Sequence, residues 1–87
     1  MAAAELIATA TTAANSSDQT LASGATLVLG VKAADDRALA IIELKDDTGA
    51  YIPIRNLTRQ EPAWQVSGPA TYRVRRVAGG SCGVFSA

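Results

Sequence analysis

Beyond Gln19, apolar and polar positions alternate in short runs separated by turn residues, the pattern of half-buried β-strands. Ser23-Gly24 opens the first run, Ala25–Val31, with Leu27, Leu29 and Val31 on one face and Thr26, Val28 and Gly30 on the other. Ala33-Ala34-Asp35-Asp36 breaks the alternation as a loop. Ala38–Lys45 resumes it, with Ala40, Ile42 and Leu44 facing one way and Leu39, Ile41, Glu43 and Lys45 the other. Asp46-Asp47-Thr48-Gly49 fits a hairpin loop whose glycine takes a positive φ. In Tyr51–Leu57, Ile52 and Ile54 are expected inward and Tyr51, Pro53 and Arg55 outward. Pro53 cannot donate to a ladder, so this strand belongs at an edge or carries a bulge.

Asn56–Pro62 is a polar connection to a short strand, Ala63–Val66, in which Trp64 and Val66 share a face. Trp64, the only tryptophan, is expected as the central packing residue of a small core. Ser67-Gly68-Pro69 turns the chain into Thr71–Val77, where Tyr72 and Val74 oppose Arg73 and Arg75. Ala78-Gly79-Gly80-Ser81 is a flexible turn, and Cys82–Ser86 closes the series. Six or seven strands at this regular spacing predict an all-β fold, a small antiparallel β-sandwich or barrel.

Residues 1–20 have a different texture. Alanine, threonine and serine dominate, and Leu6 and Ile7 are the only large aliphatics before Leu21. An alanine-rich helix over Ala2–Ala14 would suit alanine's propensity, but the threonines and the missing apolar stripe oppose it. The expected arrangement is an extended N-terminal arm over 1–20, with a short strand at Glu5–Ala10, ahead of a sandwich domain over 21–87. Asn15-Ser16-Ser17-Asp18 reads as the hinge between them. Leu6 and Ile7 are the arm's candidate contacts with a partner. The start of the chain lacks a basic region ahead of an apolar run, and no stretch is long and apolar enough to span a bilayer; the expectation is a soluble, unprocessed chain.

Composition shifts the emphasis toward partners. Of 87 residues, 48% are apolar, but eighteen are alanines, which bury little area each. A chain this short buries only about 60% of the surface its unfolded form exposes. The only cysteine, Cys82, excludes an internal disulfide, and without histidine a zinc site is improbable. What remains is support from partners, including copies of the chain itself. Residues 1–36 carry one positive and four negative charges, and residues 37–87 seven positive and four negative, giving −3 and +3. That polarity suits head-to-tail neighbours, with Arg73 and Arg75 meeting acids such as Asp35 and Asp36. A net charge of zero argues against nucleic-acid binding. The edge formed by the opening or the closing strand, without a strand proline, is expected to be free for strand addition.

No catalytic constellation can be written. The commonest general base is absent, and Cys82 reads as a buried, inert thiol. Asp35-Asp36 and Asp46-Asp47 lack the spacing of a calcium loop, and turn chemistry accounts for the second pair. No cofactor is expected. The outward Tyr51 and the basic strand face of Arg73 and Arg75 are the candidate partner contacts, since arginine's planar fork engages carboxylates at interfaces.

Gly68-Pro69-Ala70-Thr71-Tyr72-Arg73-Val74-Arg75-Arg76 resembles the strand-F region of immunoglobulin-like and fibronectin type III sandwiches. The resemblance implies that Tyr72 makes a hydrogen bond at the sheet corner and that Val74 stands where the second immunoglobulin cysteine would be. Over most of its length the chain is also similar in texture to small virion structural proteins of tailed bacteriophages, particularly capsid decoration (cement) proteins. The features concerned are the arm, Leu21–Leu29, the Lys45–Tyr51 hairpin and the Thr71–Arg76 strand with its Gly-rich successor. This likeness implies a non-enzymatic β-sandwich, assembled in the host cytoplasm, that binds the major capsid protein or another virion protein in many copies and acts as a homo-oligomer. A tail or baseplate component, or a carbohydrate- or receptor-binding module, is the alternative.

Overall fold

Nine strands follow one another in the computed structural model, which describes residues 3–87. They are β1 (Ala4–Ala10), β2 (Ala14–Asn15), β3 (Gln19–Leu21), β4 (Thr26–Lys32), β5 (Ala40–Lys45), β6 (Tyr51–Leu57), β7 (Ala63–Ser67), β8 (Ala70–Arg76) and β9 (Cys82–Ser86). All pairings are antiparallel. One sheet has the order β1-β9-β4-β7; the other runs β2-β8-β5-β6, with β3 continuing β2 along the same side of β8. The fold is an all-β sandwich. Most successive strands alternate between the sheets, and β5–β6 is the one long hairpin within a sheet.

The alternation in the sequence sets the core. Leu27, Leu29 and Val31 of β4 meet Ala40 and Ile42 of β5 and Tyr72 and Val74 of β8 in a single buried cluster. Cys82 and Val84 of β9, with Ala38, Leu57 and Val66, complete it from the flanks. Leu29, Ile42, Val74 and Val84 are wholly shielded from solvent, as period-2 strands facing each other across two sheets require.

Residues 3–20 are largely extended, but they are not an appendage. Ala4–Ala10 pairs with β9 as an edge of the first sheet, and β2 and β3 edge the second against β8. The chain therefore changes sheets around residues 11–13, and no boundary near residue 20 separates an arm from a body. Two large aliphatics suffice because of a bulge. Glu5 lies opposite Phe85 and Ile7 opposite Val84, leaving Leu6 as the extra residue. Ile7 is thereby buried, and Leu6, partly buried, packs against the core. The helix alternative over Ala2–Ala14 fails for the same reason: β9 has a ladder to be completed, and tertiary pairing outweighs alanine's propensity. Ala2 itself lies outside the described residues.

Ser16 bridges the break between β2 and β3. Its N–H donates to the Val74 carbonyl at 2.8 Å, and its hydroxyl accepts from the Val74 N–H at 2.8 Å. The expected hinge is thus fastened to the strand beside it.

Two further expectations are corrected. The opening strand β4 and the closing strand β9 lie inside their sheet, each paired on both sides, so neither offers a free edge. Ile52 and Ile54 are 45% and 44% exposed. Ile54 is the extra residue of a bulge in β6, where Ile42 lies opposite Arg55 and Glu43 opposite Pro53, whereas Ile52 keeps its inward register opposite Leu44 but lies on an edge strand. Pro53 accordingly sits on an edge strand and next to a bulge.

At one corner of the sandwich the Tyr72 hydroxyl donates to the Ser67 carbonyl at 2.8 Å, tying β8 back to the turn that precedes it. Gly68 in that turn cannot be replaced without displacing backbone, since a Cβ there would lie 2.2 Å from the Ala22 carbonyl oxygen. Tyr72→Phe should cost about 0.5–1.5 kcal/mol of unfolding free energy, because the ring stays and only the bond is lost. Urea titration checks this, and an unchanged midpoint would show that the corner bond contributes nothing.

Candidate interaction site at the open side of the sandwich

The outer face of the second sheet carries a ladder of charged side chains. Arg73 and Arg75 project from β8 on either side of Glu43 on β5, the Arg73 Nε at 2.8 Å and the Arg75 Nε at 3.4 Å from its two carboxylate oxygens. The Glu43 side chain is only 7% exposed beneath them. Register places it there, since Glu43 lies directly opposite Arg73. Beyond it the Arg73 guanidinium lies 3.5 Å from the centre of the Tyr51 ring, and the Tyr51 hydroxyl donates to Asp18 at 2.6 Å. Lys45 reaches the other Asp18 oxygen at 3.3 Å. The Tyr51 hydroxyl holds the Asp18 carboxyl below its usual range, and Asp18 in turn raises the phenol.

This ladder changes the reading of three candidate contacts. Tyr51, Arg73 and Arg75 face outward, but their polar groups already engage Asp18 and Glu43 within the chain. Arg75 is the most open of them, with 41% of its side chain exposed. The opposed charge of the two halves is also partly answered internally, because Lys45 pairs with Asp18 and Arg59 with Asp36. Asp36 is therefore engaged by Arg59 rather than left for a neighbour's Arg73 or Arg75.

The exposed apolar surface lies elsewhere, on the side where β6 and β7 are the free edges of the two sheets. Trp64 is 44% exposed there and is not the centre of the core. It lies opposite Leu29 and so points toward the gap between the sheets. The bulge in β6 turns Arg55 toward the same gap, opposite Ile42. The guanidinium stacks 4.0 Å from the Trp64 ring centre and bonds Glu61 at 3.1 Å. A tryptophan at the edge, met by an arginine rather than an aliphatic, stays half open. A groove of about 390 Å³ runs along this side between Pro53, Ile54, Arg55, Asn56 and Glu61. Ile52, Ile54 and Trp64 are the large hydrophobic side chains left exposed among the described residues.

The remaining candidates are structural. One Asp46 carboxylate oxygen accepts from the Thr48 hydroxyl at 2.8 Å and from the Thr48 and Ala50 N–H groups at 2.9 Å, closing the hairpin in which Gly49 has a φ of +88°. These bonds, the Thr48 hydroxyl first, lower the Asp46 carboxyl below its ordinary value. Among the described residues no group of three or more acidic, cysteine or histidine side chains is placed to hold a metal ion. Cys82 is fully buried, and burial raises its thiol above the ordinary value despite the nearby Arg76. Val74 lies wholly inside the core, and Tyr72 is buried except for a small fraction.

Trp64→Ala should cost less than about 1.5 kcal/mol, whereas Leu29→Ala on the facing strand should cost about 2–5 kcal/mol. Chemical denaturation of both variants checks the contrast; equal, large losses would mean that Trp64 is a core residue after all. Comparison with known proteins finds no matching family model, no similar curated protein and no similar solved structure.

Proposed function

We propose that the chain is a non-enzymatic structural protein that works in multi-copy assemblies, and that it is a virion component of the capsid decoration class. The observation that carries the assembly reading is the open β6–β7 side, where Ile52, Ile54 and Trp64 stay exposed on a domain that has little apolar surface to spare. The virion assignment rests on the texture of the sequence, and the small all-β body is compatible with it. The mechanism is mass action: a protein that binds only the assembled shell stabilises that state over its dissociated parts.

The exposure of Trp64 also favours a second reading, a carbohydrate-binding module that stacks sugars on aromatic rings. Against it, Arg55 covers one face of Trp64 and Arg73 one face of Tyr51, the surfaces on which a sugar ring would rest.

The test is to add purified protein to heads and to tails of particles lacking it, sediment each, and heat the pellets. Saturable binding to heads, with a higher disruption temperature, is the expected result. Binding to tails alone would replace the head assignment with a tail one, and no binding to either would overturn the virion reading.

A further inference from the structure

The hydrogen-bond parity of β7 shows which backbone groups its outer edge leaves unused, and the inference drawn from it rests on reading that side as an interaction surface. Val28 and Ala87 exchange both backbone bonds at 2.9 Å, so even-numbered residues of β4 serve β9 and odd-numbered ones serve β7. In agreement, the Val31 N–H donates to Pro62 and the Gly68 N–H to Ala25. Within β7, Trp64 and Val66 therefore bond to Leu29 and Leu27, their partners in the ladder. Ala63, Gln65 and Ser67 direct their N–H and C=O groups away from β4, and among the described residues no strand pairs there.

This edge has none of the usual guards. Ala63-Trp64-Gln65-Val66-Ser67 contains no proline and no charge, and its pairing with β4 runs without a bulge. Edge β6 by contrast has Pro53 and a bulge, and edge β1 is bulged with Glu5 within it.

We propose that β7 pairs antiparallel with β7 of a second copy of this chain, about a two-fold axis through Gln65. The outward groups fit that symmetry. Gln65 would exchange both bonds with its own counterpart, and Ala63 with the second copy's Ser67, whose carbonyl keeps its bond from Tyr72 on its other lone pair. Every outward N–H and C=O of the strand is then used. The same register sets Trp64 opposite the second copy's Val66 in the closely spaced, non-hydrogen-bonded position, which adds apolar cover to the exposed indole. No like charges meet across the axis within the strand, and the adjoining Arg55–Glu61 pair is neutral. A self-complementary edge of this kind joins two four-stranded sheets into one of eight and closes the assembly as a dimer.

The register is read by cysteine crosslinking of the free protein, with no particle present, so its failure is separate from failure of the virion reading. In the proposed dimer two Gln65 Cα atoms face each other at about 5.5 Å, within disulfide reach. Gln65→Cys should form a disulfide-linked dimer under mild oxidation at least about tenfold faster than Ser67→Cys or the hairpin-tip variant Asp47→Cys, neither of which meets itself across the axis. Cys82 is fully buried and does not compete. Sedimentation velocity of the unmodified protein from micromolar to millimolar concentration should show a dimer. Gln65→Pro, which removes an outward N–H that β4 does not use, should lower the dimer fraction at least about tenfold while the circular dichroism spectrum stays that of the parent. A monomer throughout the concentration range would overturn the proposal, as would crosslinking at Gln65 no faster than at Asp47. A Gln65→Pro protein that keeps both the parent spectrum and the parent dimer fraction would do the same.

Discussion

A single buried guanidinium joins the parts of this fold that the chain's small core would otherwise hold weakly. Arg76, at the end of β8, is 2% exposed and points inward with Tyr72 and Val74. Its Nε donates to the Thr12 carbonyl at 2.6 Å, and its Nη1 donates to the Ala8 and Cys82 carbonyls at 2.6 and 2.8 Å. Ala8 and Cys82 belong to the first sheet, Arg76 to the second, and Thr12 to the segment crossing between them. A charge removed from water must be compensated, and here backbone carbonyls do so with charge-assisted bonds in place of a carboxylate. The alanine- and threonine-rich crossover contributes little apolar area, so its position depends on this polar tie.

The far end of the sandwich is fastened differently, by the Tyr72 hydroxyl on Ser67 and by the contact that only a glycine at position 68 permits. Between the two ends, the Arg75–Glu43–Arg73–Tyr51–Asp18 ladder crosses the outer face of the second sheet from β6 to the β2–β3 edge. These polar ties leave the side between β6 and β7 as the open one. There the bulge at Ile54 turns an arginine toward the gap under Trp64, and apolar side chains stay in solvent.

Period-2 alternation was enough to read an all-β sandwich or barrel and the inward faces of β4, β5 and β8, because those strands are central and obey the pleat. It misread only the stretch of β6 from Ile54, where a bulge brings Arg55 inward opposite Ile42, since alternation alone does not place the extra residue. Pro53 was the available signal, and it located the edge without locating Ile54. Trp64 was misplaced because size predicts burial only for a residue that another sheet covers, and sheet order is not written in one strand. The segment 3–20 was misjudged for a related reason: its pairing with β8 and β9 comes from backbone ladders and Arg76, which leave little hydrophobic trace. Glu43 was missed as the partner of the arginines, though an acid between Ile42 and Leu44 in one strand and two arginines at alternate positions of another do suggest such a pair.

The dependence on Arg76 is tested most directly by urea unfolding of Arg76→Met and Arg76→Lys, followed by hydrogen exchange of the β1 amides. Methionine keeps the bulk without the donors, and lysine keeps the charge without the planar fork that reaches several carbonyls at once. Both variants should lose about 2–4 kcal/mol, with β1 amides exchanging well before those of β4 and β5. Midpoints matching the unsubstituted protein, with β1 still protected, would contradict the account.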